Sequence, residues 1–286
     1  MFDAGSASDG ALQRSHGVAR LRFRSDSDDA GHGRTRIHER YAAAPARLLT
    51  PRAIGTAPEA VLANTAGGVA GGDSFRIDVV CEAGADATVT GQAAEKIYRA
   101  LDAPARIRTR IELEAGATLE WLPQETILFD GAQLDRAIDV SIAPDARLLM
   151  TEMTVFGRQA HGERFDAGRF IDRWRIDRDG QPVWRDALRV TGGEATLSAA
   201  AGLANARAVA TLIYAAPDAP DALEELRAIM DAADAGAGAT VVRGLIFARM
   251  LGTEAGALKA ALAKVVGAFR AYALGRPASA PRVWLC

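Results

Sequence analysis

The sequence predicts a mainly β fold: stacked β-sheets in a solenoid-like arrangement, with two α-helices at the C-terminal end. Three observations predict it. Short runs of period-two alternation fill the centre of the chain, as in Phe75-Arg76-Ile77-Asp78-Val79 and Arg106 to Leu113. Such runs place apolar residues on one face of a pleated strand. The turns Glu82-Ala83-Gly84-Ala85, Glu114-Ala115-Gly116-Ala117 and Ala143-Pro144-Asp145-Ala146 each separate two such runs. They recur at roughly 30 residues, a period that marks stacked coils as readily as it marks ordinary sheet turns. The last third then changes to helical periodicity.

Residues 1 to 15 are small and polar and are read as disordered. Alternation starts at Val18, Ser25 to Gly31 reads as a loop, and Arg34 to Tyr41 alternates again. Asn64 to Asp73 is rich in glycine, with Gly67, Gly68, Gly71 and Gly72. A loop of this kind cradles phosphate when a helix follows it. Here the strand pattern Ser74 to Asp78 follows, which speaks against dinucleotide binding. A tight connection and a partner-binding loop both remain open.

Gln92 to Arg99 interrupts the alternation, and its adjacent Glu95 and Lys96 read as a solvated pair. The strand-like runs Ala117–Leu122, Glu125–Phe129, Leu134–Ile142, Arg147–Phe156, Arg169–Ile176 and Pro182–Val190 continue the sheet pattern. Within Leu119 to Ala132, Glu120, Gln124, Glu125 and Asp130 interleave with Trp121, Leu122, Ile127 and Phe129. If that polar face is enclosed, its carboxylates line an interior that attracts cations. If it faces water it is an ordinary surface, and the pattern alone favours the surface.

Ala204 to Ala215 predicts a buried strand. Ala219 to Ala235 predicts a helix with Leu223, Leu226, Ile229 and Met230 on one stripe. Val241 to Leu251 reads as one further apolar strand. Thr253 is placed to cap a second helix, whose stripe is Leu258, Leu262, Val265, Val266, Phe269 and Tyr272 and which stops at Gly275 and Pro277. No Pro, Gly or Ser linker divides the chain, so residues 16–286 read as a single domain.

Composition narrows the function. Hydrophobic residues make up 49% of the 286 residues and charged residues 24%, and the net charge is -2. A broad basic surface for nucleic acid or anionic lipid is excluded, whereas a local basic patch is not. Two cysteines, Cys81 and Cys286, make no disulfide framework. The N-terminus lacks a signal-peptide pattern, and the longest apolar run, Ala208 to Ala216, is about half a membrane span. A soluble, cytoplasmic protein is expected. There is no Gly-x-Ser-x-Gly elbow and no Walker sequence. His16, His32, His38 and His161 are not spaced for shared ligation, which leaves oxygen donors to hold a divalent ion weakly and in passing.

These segments together resemble the UreD (UreH) family of urease accessory proteins. The resemblance is carried by Asn64 to Gly68 with Gly71-Gly72-Asp73, by Gln92-Ala93-Ala94-Glu95-Lys96-Ile97-Tyr98-Arg99, by Glu120 to Ala132, and by Phe156-Gly157-Arg158-Gln159-Ala160-His161-Gly162-Glu163. Order and spacing match over roughly residues 18 to 215. The resemblance implies a β-rich scaffold that turns nothing over and holds no tightly bound cofactor. It implies binding to urease apoprotein together with a UreF-type protein and a UreG-type GTPase, and nickel in transit along an internal polar passage. No role with membranes or nucleic acid is implied.

It also moves Glu120, Gln124, Glu125 and Asp130 toward an enclosed face. Asp73, Glu95, Glu120, Glu125 and Asp130 become the candidate carboxylates for the ion path or a partner surface, with Lys96 beside them. Arg158 and Glu163 read as structural or partner-facing. The competing reading is a β-solenoid carbohydrate-active enzyme that uses Glu120, Glu125 and Asp130 as paired carboxylates. Aromatic residues at only 6% of the chain leave it short of sugar-stacking platforms.

Overall fold

Strands that alternate must bury one face, and strands joined by short turns must stack to do so. The structure, a computed structural model, describes residues 13–27, 33–52, 57–193, 195–199, 202–234 and 236–285. Two antiparallel pairs begin it: β1 (His16–Ser27) with β2 (Gly33–Ala43), and β3 (Ala46–Leu49) with β4 (Glu59–Asn64). Coils then follow one another. The first is β5 (Ser74–Cys81), β6 (Asp86–Gly91) and β7 (Glu95–Ile97). The second is β8 (Ala105–Leu113), β9 (Thr118–Leu122) and β10 (Thr126–Leu128), and the third is β11 (Gln133–Ile142) and β12 (Arg147–Phe156).

Corresponding strands pair in parallel: Cys81 lies opposite Leu113, which lies opposite Ile142. The recurring turns stack as well, Gly84 N–H donating to Ala115 O at 2.8 Å and Ala143 N–H to Leu113 O at 2.9 Å. The repeat read in the sequence is therefore a stack of coils.

The hairpin β13 (Arg169–Arg178) and β14 (Gln181–Thr191) completes a seven-stranded sheet of order β14-β13-β11-β8-β5-β1-β2. A single helical turn, α1 (Ala195–Ser198), precedes β15 (Ala208–Ala215), α2 (Leu223–Ala232), β16 (Ala237–Val242), β17 (Leu245–Gly252) and α3 (Ala255–Leu274). The second sheet runs β16-β17-β15-β12-β9-β6-β4-β3, with β7 and β10 beside it.

Three layers result: the seven-stranded sheet, the larger sheet, and α2 with α3. Phe23, Ile111, Leu119, Ile138, Leu148 and Phe170 fill the space between the sheets. Leu122, Leu149, Tyr214, Leu226, Val265 and Phe269 fill the space under the helices. Each such side chain stabilises the fold by about 1.5–3 kcal/mol. Strand β12 serves both cores, with Leu148 and Met150 on one side and Leu149 and Met153 on the other, so all of its residues but Arg147 are buried.

Several expectations are corrected. Val241 to Leu251 is not one strand, because Arg243 and Gly244 both take positive φ, 47° and 74°, and make a two-residue hairpin turn. Ser25 to Ser27 continue β1, and residues 28–31 of that expected loop lie outside the described residues. The buried strand begins at Ala208, after turns from Gly202. Thr253 does not cap α3: Glu254 is the N-cap and makes no side-chain capping bond, while Gln159 Oε1 accepts from Ala255 N–H at 2.7 Å. Tyr272 is 55% exposed and leaves the buried stripe. The expectation for residues 1–15 falls on undescribed residues up to 12, while Ser15 N–H is held by Asp73 Oδ1 at 2.8 Å. Cys286 is also outside the described residues, and Cys81 is a buried free thiol whose pKa burial pushes far up.

Candidate functional site

Alternation aims every second residue of a central strand at the opposite sheet, so a polar residue at such a position is buried whatever its chemistry. Strand β11 reads Leu134-Asp135-Arg136-Ala137-Ile138, and its inward side chains are Leu134, Arg136 and Ile138. Across the layer β12 offers Glu152 and along the sheet β13 offers Asp172, both at most 7% exposed. Arg136 grips Asp172 through two bonds, Nε to Oδ1 at 2.9 Å and Nη2 to Oδ2 at 2.6 Å, and gives Nη1 to Glu152 Oε2 at 2.5 Å. Trp121 Nε1 donates to Glu152 at 3.0 Å and Trp174 Nε1 to Asp172 at 2.9 Å.

Burial alone would lower the Arg136 pKa and raise that of Glu152. Asp172 and Glu152 more than offset this for Arg136, whose pKa stays raised. For Glu152 burial wins over Arg136, so its pKa lies above the ordinary value. One guanidinium against two carboxylates makes the centre of the layer electronegative when both are ionised.

A cavity of about 310 Å³ opens between the sheets on one side of this cluster. Ala19, Phe75, Ile107 and Leu62 supply apolar wall. Asn64, Glu95, Gln124, Trp121, Arg136 and Glu152 supply polar groups. Arg136 and Glu152 also line, from their other side, a gap of about 10 Å³ shared with Asp172, Asp186, Thr211 and Arg249. Space of that size holds about one water. The Asp186–Arg249 pair, 2.8 Å apart, forms part of its wall. A polar seam therefore runs through the layer from the cavity to that pair.

The glycine loop and the Gln92–Arg99 segment form the cavity's mouth. Asn64 Nδ2 donates to Gly68 O at 3.0 Å and to Glu95 Oε1 at 2.9 Å, tying the two segments together. Gly68 leaves no room for a side chain, since a Cβ there would sit 2.5 Å from the Tyr98 ring and 2.9 Å from Lys96 O. Gly72 takes φ +87°. The loop is thus a close backbone connection, with Gly67 O accepting from Tyr98 Oη at 2.8 Å and Gly71 packed on Ala100. Burial raises the Glu95 carboxyl to about 7, against the opposing pull of Asn64. Glu95 can therefore exchange a proton near neutral pH. Lys96 beside it is exposed.

The remaining predicted residues do not share one face. Glu120 is fully buried, yet it points toward α3, where Arg270 binds it with Nε at 2.7 Å and Nη2 at 2.6 Å and Thr88 Oγ1 donates at 2.6 Å. The surface reading of Glu120 is thus corrected: α3 covers that side of the sheet, which strand alternation alone does not reveal. Gln124, 7% exposed, reaches the cavity and accepts from Lys259 at 2.7 Å. Glu125 pairs with Lys259 at 2.8 Å.

Asp130 Oδ1 accepts from Asp166 N–H and Ala167 N–H at 2.9 and 2.8 Å, and Asp73 accepts from Ser15 N–H and Ala70 N–H at 2.8 and 2.9 Å. Glu163 pairs with Arg158 at 2.8 Å, and that hydrogen bond holds its carboxyl at about 2. Glu120, Glu125 and Asp130 are each committed to a different partner, which removes the geometric basis of the paired-carboxylate reading. Arg136, Glu152 and Asp172 were missed, although Arg136 and Asp172 each stand among the apolar positions of an alternating strand and Glu152 is the one charge within the buried run Leu148–Phe156. Among the described residues, no group of three His, Cys, Asp or Glu is placed to hold a metal ion.

A protein-family model described as UreD urease accessory protein matches residues 15–285. The chain belongs to the UreD family of urease accessory proteins. It is 43% identical over 277 residues to the urease accessory protein UreD of Azorhizobium caulinodans, covering 96% of this chain and 98% of that one. It is 46% identical over 276 residues to urease accessory protein UreD 2 of Methylorubrum populi, covering 95% and 91%. The mouth built from Asn64, Gly68 and Glu95 thus lies within the segments that carried the UreD resemblance, whereas the Arg136 cluster lies mostly outside them. No helix among the described residues is long and apolar enough to cross a membrane.

Proposed function

We propose that this UreD-family chain is a non-catalytic cytoplasmic scaffold in urease maturation. It binds urease apoprotein together with a UreF-type protein and a UreG-type GTPase, and nickel reaches the urease site through it. The GTPase step belongs to the partner. Nickel is cargo in this scheme, and no cofactor stays bound.

One observation carries the reading: the cavity between the sheets leads from the Glu95 mouth to the buried Arg136–Glu152–Asp172 cluster. A carrier of a competitive divalent ion needs a closed route, because intrinsic affinities do not select the right metal. The route must also bind weakly enough for release. Isolated carboxylates, each already sharing its charge with an arginine or a proton, meet both needs. A nickel ion at the mouth would displace the proton of Glu95 and be passed toward Glu152, whose partner Trp121 keeps the carboxylate oriented.

Co-expression of urease subunits and the accessory proteins, with and without this chain, tests it. Urease is expected to be nickel-poor and inactive without the chain, and impaired with Glu152→Gln while the complex still assembles. Normal nickel content without the chain would overturn the reading.

A further inference from the structure

The outer face of the seven-stranded sheet has a charge pattern that folding does not explain. Alternation sends Arg106, Arg108 and Arg110 of β8 outward, and Arg173 and Arg175 of β13 likewise. Strand β11 lies between them with Asp135, Ala137 and Asp139 outward. Ala137 is directly opposite both Arg108 and Arg173, and Asp139 is opposite both Arg110 and Arg175. Five arginines thus flank Asp135 and Asp139, with Asp78 of β5 opposite Arg110 on its other side, in a protein whose net charge is -2. Like charges even sit side by side, Arg76 opposite Arg108 and Arg175 opposite Arg185. Such neighbours destabilise a sheet.

Pairing does not neutralise the patch. Arg108 and Arg173 both lean on Asp135, at 3.0 and 2.5 Å. Arg175 is 3.9 Å from Asp139 with its side chain 66% exposed. Arg106 and Arg110 are exposed and have no ion-pair partner among the described residues. The small Ala137 side chain leaves a notch of about 200 Å³ walled by Arg108, Asp139, Arg173 and Arg175. Two arginines one strand apart across an alanine floor stand about 10 Å apart at the backbone. Their side chains can close on a carboxylate from both sides with forked hydrogen bonds.

We infer that this face docks an acidic protein surface, with an Asp or Glu side chain of the partner seated over Ala137 between Arg108 and Arg173. The inference rests on the reading that this chain works bound to other proteins. It adds which face is used and what chemistry the partner presents. The pattern favours protein over nucleic acid. Asp135 and Asp139 interrupt the positive rows that a phosphate backbone would track. The outward positions of β8, β11 and β13 offer no aromatic ring for a base to stack on. Mixed charge at alternating positions instead selects one complementary surface and rejects others.

The full-length chain with Ala137→Glu, which plants a carboxylate in the notch, and the double variant Arg106→Glu/Arg110→Glu test this. Binding to purified urease apoprotein and to each of the two other accessory proteins is measured separately, at low and high salt, with urea midpoints as the folding control. Both variants should weaken binding to one of these proteins by at least about tenfold. They should also flatten its salt dependence, with the midpoints unchanged. Unchanged affinity for all of them would overturn the proposal and leave the proposed function standing. Displacement of the bound protein by a duplex oligonucleotide would overturn the choice of partner. A wild-type chain that binds none of the three would sink the functional reading and this inference together.

Discussion

Replacing Glu95 by Gln should make the protein more stable at neutral pH and remove part of its pH dependence. The Glu95 carboxyl sits at the cavity mouth, and burial raises it from 4.5 to about 7. Between those values the unfolded chain releases a proton that the folded chain keeps. Stability therefore falls as pH rises through this window and is level on either side of it. A shift of that size is worth up to about 3 kcal/mol, at 1.36 kcal/mol per unit. Glu95 is only half-buried, and water at the mouth screens it, so a loss of about 1–3 kcal/mol is expected.

Glutamine carries no titrating proton, and its amide oxygen can still accept from Asn64 Nδ2. Urea unfolding of both proteins, repeated from pH 4 to pH 8, reads the effect. The two should converge near pH 4, and Glu95→Gln should lead by about 1–3 kcal/mol above pH 7. A difference that is flat with pH, or a variant that loses stability as pH rises, would show that Glu95 is ionised in the fold and would refute the reasoning. The same variant should support urease activation poorly despite its stability, because it cannot exchange a proton for a cation.

Other substitutions separate structure from transport. Glu120→Ala leaves Arg270 buried without its carboxylate and should cost about 3–5 kcal/mol in urea unfolding. Arg136→Ala strands Glu152 and Asp172 between the sheets without their cation and should cost a similar amount, about 3–5 kcal/mol, by the same measurement. Gly68→Ala drives a methyl into the Tyr98 ring and Lys96 O; about 1–3 kcal/mol should be lost, with Tyr98 fluorescence or backbone exchange at Gln92–Arg99 reporting the displaced mouth. Lys259→Ala should release Gln124 and Glu125 from α3 at a cost near or below about 1 kcal/mol, since the lysine is half-exposed, which thermal unfolding can check.

The sheet composition, the stacked turns, the C-terminal helices and the family were all legible in the sequence, because each is written in local signals. Alternation at Arg106–Leu113, turn residues at Glu114–Ala117 and the stripe from Leu258 to Phe269 need no distant partner to be read. Segment identity at Asn64–Asp73 and Gln92–Arg99 worked the same way. The hairpin at Arg243-Gly244 escaped because arginine is a poor marker of a turn that needs positive φ at both positions.

What lay beyond the sequence was which sheet face meets which layer. Glu120 and Trp121 are neighbours in the chain, yet one binds Arg270 of α3 and the other binds Glu152 of the adjacent strand β12, on the face that meets the opposite sheet. A period-two pattern says that two residues part company, but it does not say what lies on either side. Only the packing of two sheets and a helical layer brought Arg136, Glu152 and Asp172 together from three separate strands. That packing also turned a polar residue on each strand into an interior charge cluster.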